Sequence, residues 1–355
     1  MSGESLTRLP EGAGAFRPLN GYLTFKGFSP GPFVGPPLFF RRLIRQTRPG
    51  RDFRSMIRFL PVFALVLALA ACSRHSTAPD PPIPTSNAFQ NPQRVTIQGY
   101  NDDAMEPFLS RDGKYLFFNN LNEPKANTNL HWAERIDDLH FQYRGEIQGV
   151  NTPDLEGVPS MDRAGNFYFV SNRSYSQTAS TLYRGKFADG ALTGVELVPG
   201  VSLAKPGIVN FDAEISADGS TLYYVESQFS IFGQPKSARI LFARRSGNTF
   251  VRDPASASIL KSIDTDALAY APATSASECE IFFTRVGPDG PAIYMAQRTG
   301  RTQPFQQPLR LSAITGFVEA PTLSPDGLSL YYHKRENGRF VIYRVTRPQG
   351  LKPPN

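Results

Sequence analysis

Along residues 105–346 the apolar positions fall in short runs of aromatic and branched side chains, separated by polar breaks that hold Ser, Asp, Gly and Asn. Runs bounded by turn residues predict strands. An Asp-Gly pair between two of them predicts a tight hairpin, because glycine reaches the positive φ angles such a turn needs. The clearest unit is Ser110-Arg111-Asp112-Gly113-Lys114-Tyr115-Leu116-Phe117-Phe118, which recurs over Ser216–Tyr224 and Ser324–Tyr332. A fainter copy starts at Ser160 and runs through Asp162 and Gly165 to Phe169. Gly113, Gly165 and Gly219 lie 52 and 54 residues apart, and Gly327 follows 108 residues later, two periods on. A hidden repeat belongs in that gap: Ala271 to Phe283 aligns without gaps on Ala320 to Tyr332, its turn having lost the Asp-Gly.

A third strand follows each hairpin, with an apolar residue, an aromatic and in most copies a basic residue: Leu130-His131-Trp132, Leu182-Tyr183-Arg184, Leu241-Phe242-Ala243-Arg244, Ile293-Tyr294-Met295 and Ile342-Tyr343-Arg344. Fourth strands are visible at Phe141-Gln142-Tyr143 and over Phe305–Leu311, but the last unit has none of its own. Its match lies at the other end, where Phe89 to Val95 aligns position for position on the Phe305 segment. Five small sheets cannot each bury their faces alone and must stack. The expected fold is therefore all-β: a five-bladed β-propeller of four-stranded antiparallel blades over residues 89–347, closed by residues 89–97 completing the last blade. The longest excursion, Leu192 to Asn210 between the second and third blades, is a candidate partner contact.

Charge changes the picture only at the N-terminus. The formal charge of +7 sits in residues 1–58, since residues 1–55 carry nine Lys or Arg against three acids and Arg58 adds one more. From Cys72 onward the chain is neutral, which removes the electrostatic case for a nucleic-acid partner. Residues 56–72 pass from Met56 and Arg58 through an apolar stretch to Leu69-Ala70-Ala71-Cys72, the anatomy of a secretion signal. That ending resembles the bacterial lipobox, which implies lipid on Cys72, and Ser73 after it implies the periplasmic face of the outer membrane. Met56 is then the expected start, with residues 1–55 a disordered extension; the alternative is a cytoplasmic extension on an inner-membrane anchor. Residues 72–88 read as the lipidated cysteine and a Pro- and Ser-rich tether, and 348–355 as a tail. Cys279 is the other cysteine, so a lipidated Cys72 leaves no internal disulfide.

The hairpins, above all Ser324-Pro325-Asp326-Gly327 and the aromatic strand after it, resemble the WD40-like repeats of TolB-type propellers. The resemblance covers residues 89–347 and implies a repeat architecture without implying one activity. Innermost strands line a propeller's channel, and here they offer Glu106, Glu156 and Asp212 four residues before the hairpin serine, Glu319 five before it, Tyr270 in the fourth unit, and Glu214 on the same face as Asp212. Two readings follow. The first is an envelope lipoprotein, monomeric, bound to the membrane through Cys72, whose propeller is a scaffold for an envelope protein or a glycan and carries no catalytic residue. The alternative resembles five-bladed glycoside hydrolases, with Glu106, Glu156, Asp212 and Glu319 sharing the roles of acid, base or nucleophile, and pKa modulator. No metal site is expected, since His75, His131, His140 and His333 lack ligand spacing, and no cofactor loop or Gly-x-Ser-x-Gly elbow occurs. Cys279, aligned with Leu328, reads as a small buried hydrophobe.

Overall fold

The structure, a computed structural model, describes residues 83–122, 127–229, 235–265 and 267–348. The expected extension, the signal segment, Cys72 with most of its tether, and the tail after residue 348 lie outside the described residues.

The chain folds into five antiparallel sheets arranged as a five-bladed β-propeller. Blade 1 comprises Met105–Leu109, Tyr115–Asn119, Leu130–Arg135 and His140–Glu146; blade 2 comprises Glu156–Met161, Asn166–Ser171, Leu182–Ala188 and Ala191–Leu197. Blade 3 follows with Ile208–Ile215, Thr221–Phe229, Pro235–Ser246 and Thr249–Arg252, and blade 4 with Ala269–Thr274, Glu280–Gly287, Gly290–Gln297 and Leu309–Leu311. Blade 5 takes Val318–Leu323, Ser329–Glu336 and Arg339–Thr346 from its own repeat and Gln90–Arg94 from the N-terminus. The first strand of each blade contacts the first strand of the next, and that of blade 5 contacts that of blade 1, so the ring is closed.

Closure involves more than the one strand the repeats predict. Gln90, Gln93 and Arg94 pair antiparallel with Thr346, Arg344 and Tyr343. Before this, Thr85 and Ser86 pair in parallel with Arg310 and Leu311 of blade 4, and after it Thr96 to Gln98 pair in parallel with His140 to Gln142 of blade 1. The N-terminal segment thus joins the ring a few residues before position 89 and crosses three blades. Phe89, fully buried, anchors it edge-on to Phe282 with ring centroids 5.6 Å apart, while the Arg347 guanidinium covers its other side at 4.5 Å.

The repeat motif has a local cause. In blade 1 the Ser110 hydroxyl accepts the Tyr115 N–H (2.9 Å) and donates to Asp112 (2.6 Å), whose carboxylate also accepts the Lys114 N–H (3.1 Å). The same bonds form around Ser216 and Asp218 and around Ser324 and Asp326. In blade 2 the residue in the serine's place is Asp162, whose carboxylate accepts the Asn166 N–H (2.9 Å); Ser160 lies two residues too early. In blade 4 Glu278 stands where the other turns have glycine, at φ 57°. The Leu192–Asn210 excursion is largely strand: Ala191–Leu197 is the fourth strand of blade 2, and the connector after it lies on blade 3, where the Phe250 N–H donates to the Pro199 carbonyl (3.1 Å).

The core lies between neighbouring sheets rather than inside any one of them. One cluster spans blades 2 to 4, and smaller ones join blades 4 and 5, 1 and 2, and 5 and 1. Polar links at the rim of these layers join blades in pairs: the Arg245 guanidinium donates to Tyr168 (2.6 Å), Arg298 to Tyr223 (2.9 Å), and Arg347 to the Glu280 carboxylate (2.5 Å). Arg245, Arg298 and Arg347 thus stand at or just past the ends of the third strands of blades 3, 4 and 5.

Candidate functional site at the propeller axis

Each first strand breaks register at the same point, over Met105–Phe108, Gly157–Ser160, Phe211–Glu214, Tyr270–Ala273 and Glu319–Thr322. The residues at these bulges, Glu106, Val158, Asp212, Ala271 and Ala320, all hold φ between 50° and 56°. Four of the five are followed by proline, which has no N–H to lose where the ladder is interrupted. Backbone in this region costs about 1–3 kcal/mol per non-glycine residue and persists only where surroundings enforce it.

At four of the five bulges a hydrogen bond to the preceding blade enforces it. The Glu106 N–H donates to His333 Nδ1 (3.0 Å), the Val158 N–H to Asn119 Oδ1 (3.0 Å), and the Ala320 N–H to Thr284 Oγ1 (3.0 Å). His333, Asn119 and Thr284 occupy the same repeat position, directly after the aromatic pair of the second strand. Blade 3 has Val225 there, which cannot accept a hydrogen bond, and the Asp212 carboxylate takes over by accepting the Ala271 N–H at 2.9 Å.

Glu106, Asp212 and Glu214 line a narrow axial cavity of about 30 Å³, walled otherwise by the bulge prolines and their neighbours. Glu319, from blade 5, accepts hydrogen bonds from the Tyr270 hydroxyl of blade 4 and from His333 Nε2 (3.1 Å). Because His333 Nδ1 is already an acceptor, the ring's proton sits on Nε2. Asn122 donates to Glu106 Oε1 (3.2 Å). All of these side chains are buried. Burial pushes Glu106 up to about 8, opposed by His333 and reinforced by the charges of Asp212 and Glu319. Burial likewise raises Asp212 to about 7, the Ala271 N–H opposing and Glu319 adding to the rise. Tyr270 is held well above its ordinary value by burial and by Glu319.

Of the acids named from sequence, Glu106, Asp212 and Glu319 converge with Tyr270. Glu156 does not: it lies two residues before the bulge, its carboxylate accepting from the Thr152 N–H and hydroxyl and from the Ser171 hydroxyl, with Arg173 at 3.0 Å. The two-residue misalignment of the blade 2 hairpin put it in the set. Glu214 lines the same cavity, but its carboxylate is taken up by Arg111 of blade 1 (2.8 Å), Ser160 of blade 2 (2.9 Å) and the Thr274 N–H of blade 4 (3.3 Å). Sequence reasoning missed His333, Asn122 and Arg111. For His333 the available signal was a polar residue directly after an aromatic pair, at the position of Asn119 and Thr284. Among the described residues no group of three or more His, Cys, Asp or Glu is placed to hold a metal ion. Cys279 is buried and free.

No protein-family model matches the chain, and no curated protein matches it. Solved structures do. A family 117 glycoside hydrolase from Zobellia galactanivorans superimposes with a TM-score of 0.50 at 11% identity, over 76% of this chain and 93% of that one. An α-L-arabinofuranosidase from Podospora anserina gives 0.46 at 12% identity, over 75% and 98%. A TolB from Agrobacterium tumefaciens gives 0.36 at 21% identity, over 57% and 64%. Likeness at these identities is likeness of fold. The chain is a five-bladed β-propeller with an acidic, hydrogen-bonded hub.

Proposed function

We propose that this propeller is a binding scaffold of the bacterial envelope, anchored through lipid on Cys72, and that it performs no hydrolysis at its axis. The observation that supports this is the hub itself. A cavity of about 30 Å³ holds a water or two, whereas small-molecule sites run to ~300–1,000 Å³. The acids around it also have structural duties: Asp212 caps the blade 4 bulge, and Glu319 orients the histidine that caps blade 1. A glycoside hydrolase needs two carboxyls flanking a sugar in an open pocket. The rim loops are left as the surface where an envelope protein or glycan would meet the ring.

Two measurements test the reading. Mature protein offered a panel of oligosaccharides and aryl glycosides releases no sugar, while a glycan array or crosslinking in envelope extracts shows a ligand retained unchanged by Glu106→Gln. Sugar release abolished by Glu106→Gln would overturn it. Separately, mass spectrometry of the expressed full chain shows acyl modification at Cys72, absent in Cys72→Ala; an unmodified Cys72 in membrane fractions removes the anchor.

A further inference from the structure

Three carboxylates from three blades meet where all five sheets touch. Glu106 enters from blade 1, Asp212 from blade 3 and Glu319 from blade 5. Blade 4 adds the Tyr270 hydroxyl, which donates to Glu319, and blade 2 adds only Val158 and Pro159 to the cavity wall. The charges acting most strongly on Glu106 are those of His333, Asp212 and Glu319, and on Asp212 that of Glu319. Among the described residues no lysine or arginine offsets Glu106 or Asp212. Arg111 is committed to Glu214 and to the Met161 and Ile215 carbonyls. His333 opposes the rise at Glu106, and its Nδ1 accepts the Glu106 N–H.

The geometry points to a proton-operated hub: while Glu106 and Asp212 hold their protons the five first strands stay together beside the Glu319 carboxylate, and as those protons leave, the carboxylates repel one another and loosen the ring at its axis. Every one of these groups is bonded across a blade boundary or next to one that is, so repulsion at the axis acts directly on the contacts that hold the bulges. Burial and like charge keep Glu106 and Asp212 protonated far above the ordinary carboxylate range. The native state therefore binds more protons than the unfolded chain between about pH 4 and pH 8. Stability is greatest below that window, falls as pH rises through it, and levels off above it.

The test compares the mature full chain with the double isostere Glu106→Gln/Asp212→Asn, with each single isostere, and with the surface control Glu196→Gln. In Glu106→Gln the amide oxygen still accepts from Asn122, and in Asp212→Asn it still accepts the Ala271 N–H, so the hub's hydrogen bonds survive while its titration is removed. In the natural chain Tm drops by several degrees from pH 5.5 to 8.5. Amides of residues 105, 106, 108 and 211–214, corrected for intrinsic rate, exchange about tenfold faster at the higher pH. The double isostere shows neither change, each single isostere shows a reduced one, and Glu196→Gln keeps the full response. A natural chain with a flat profile, or single isosteres with an undiminished one, overturns the proposal. No ligand enters the experiment, so its failure leaves the scaffold reading standing.

Discussion

Arg111 leaves the hairpin turn of blade 1 and reaches across the channel to blade 3, where Glu214 receives it at 2.8 Å; both side chains are nearly inaccessible, at 9% and 5%. Its guanidinium also donates to the Met161 carbonyl (3.2 Å) and the Ile215 carbonyl (2.6 Å), so one side chain links blades 1, 2 and 3. Glu214 adds blade 4 through the Thr274 N–H. A buried pair of this kind is weak evidence for net stabilisation, but breaking it leaves a buried charge unpaired. Arg111→Ala is expected to cost about 3–5 kcal/mol in denaturant unfolding. Arg111→Ala/Glu214→Gln, which removes both charges, recovers a good part of that loss; equal losses in the two variants would show that the ion pair is not the cause. Position 111 is a turn residue between a serine and an aspartate, and nothing in that local sequence distinguishes it from Ala217 or Pro325, its counterparts in blades 3 and 5.

At the scale of the element, the outer edges of the blades need attention, since a bare edge invites pairing with another chain. The connector arriving from the preceding blade covers several of them. Thr96–Gln98 lies on blade 1, Gln148 bridges to Ala191 on blade 2, and Pro199 accepts the Phe250 N–H on blade 3. The blade 3 contact is close enough that a Cβ on Gly200, at φ 85°, would stand 1.9 Å from the Phe250 carbonyl oxygen. Gly200→Ala is expected to displace this connector and destabilise the domain by more than about 2 kcal/mol, on the order of the strain and lost edge bonds combined. Urea melts would check it, and a change within about 0.5 kcal/mol, typical of a surface substitution, would refute it. Phe89 serves the same purpose at the seam. Phe89→Ala removes a fully buried ring wedged between Phe282 and Arg347, with an expected cost of about 3–5 kcal/mol.

At the scale of the whole molecule, the ring is closed by a segment that contacts blades 4, 5 and 1 in turn. Removing residues 83–95 leaves the Arg339–Thr346 strand without its outer partner and opens the seam. The expected outcome is self-association through that edge, seen as dimers or larger species in light scattering, together with a broadened thermal transition; a monomer with an unchanged melt would show that the clasp is dispensable. Local chemistry along the chain determined the number of blades, the hairpin turns and the strand that finishes the last sheet, because these depend on short-range turn bonds and on a repeat that each unit carries in full. Only the tertiary structure decided which acids meet. Glu106 is capped by His333, 227 positions away. The bulge that aims Glu106 inward depends on an acceptor lent by the neighbouring blade, and a two-residue shift in one hairpin was enough to move Glu156 out of the hub. Pairing within a sheet follows the alternation of side chains, whereas contacts between sheets depend on where five separate surfaces come to rest.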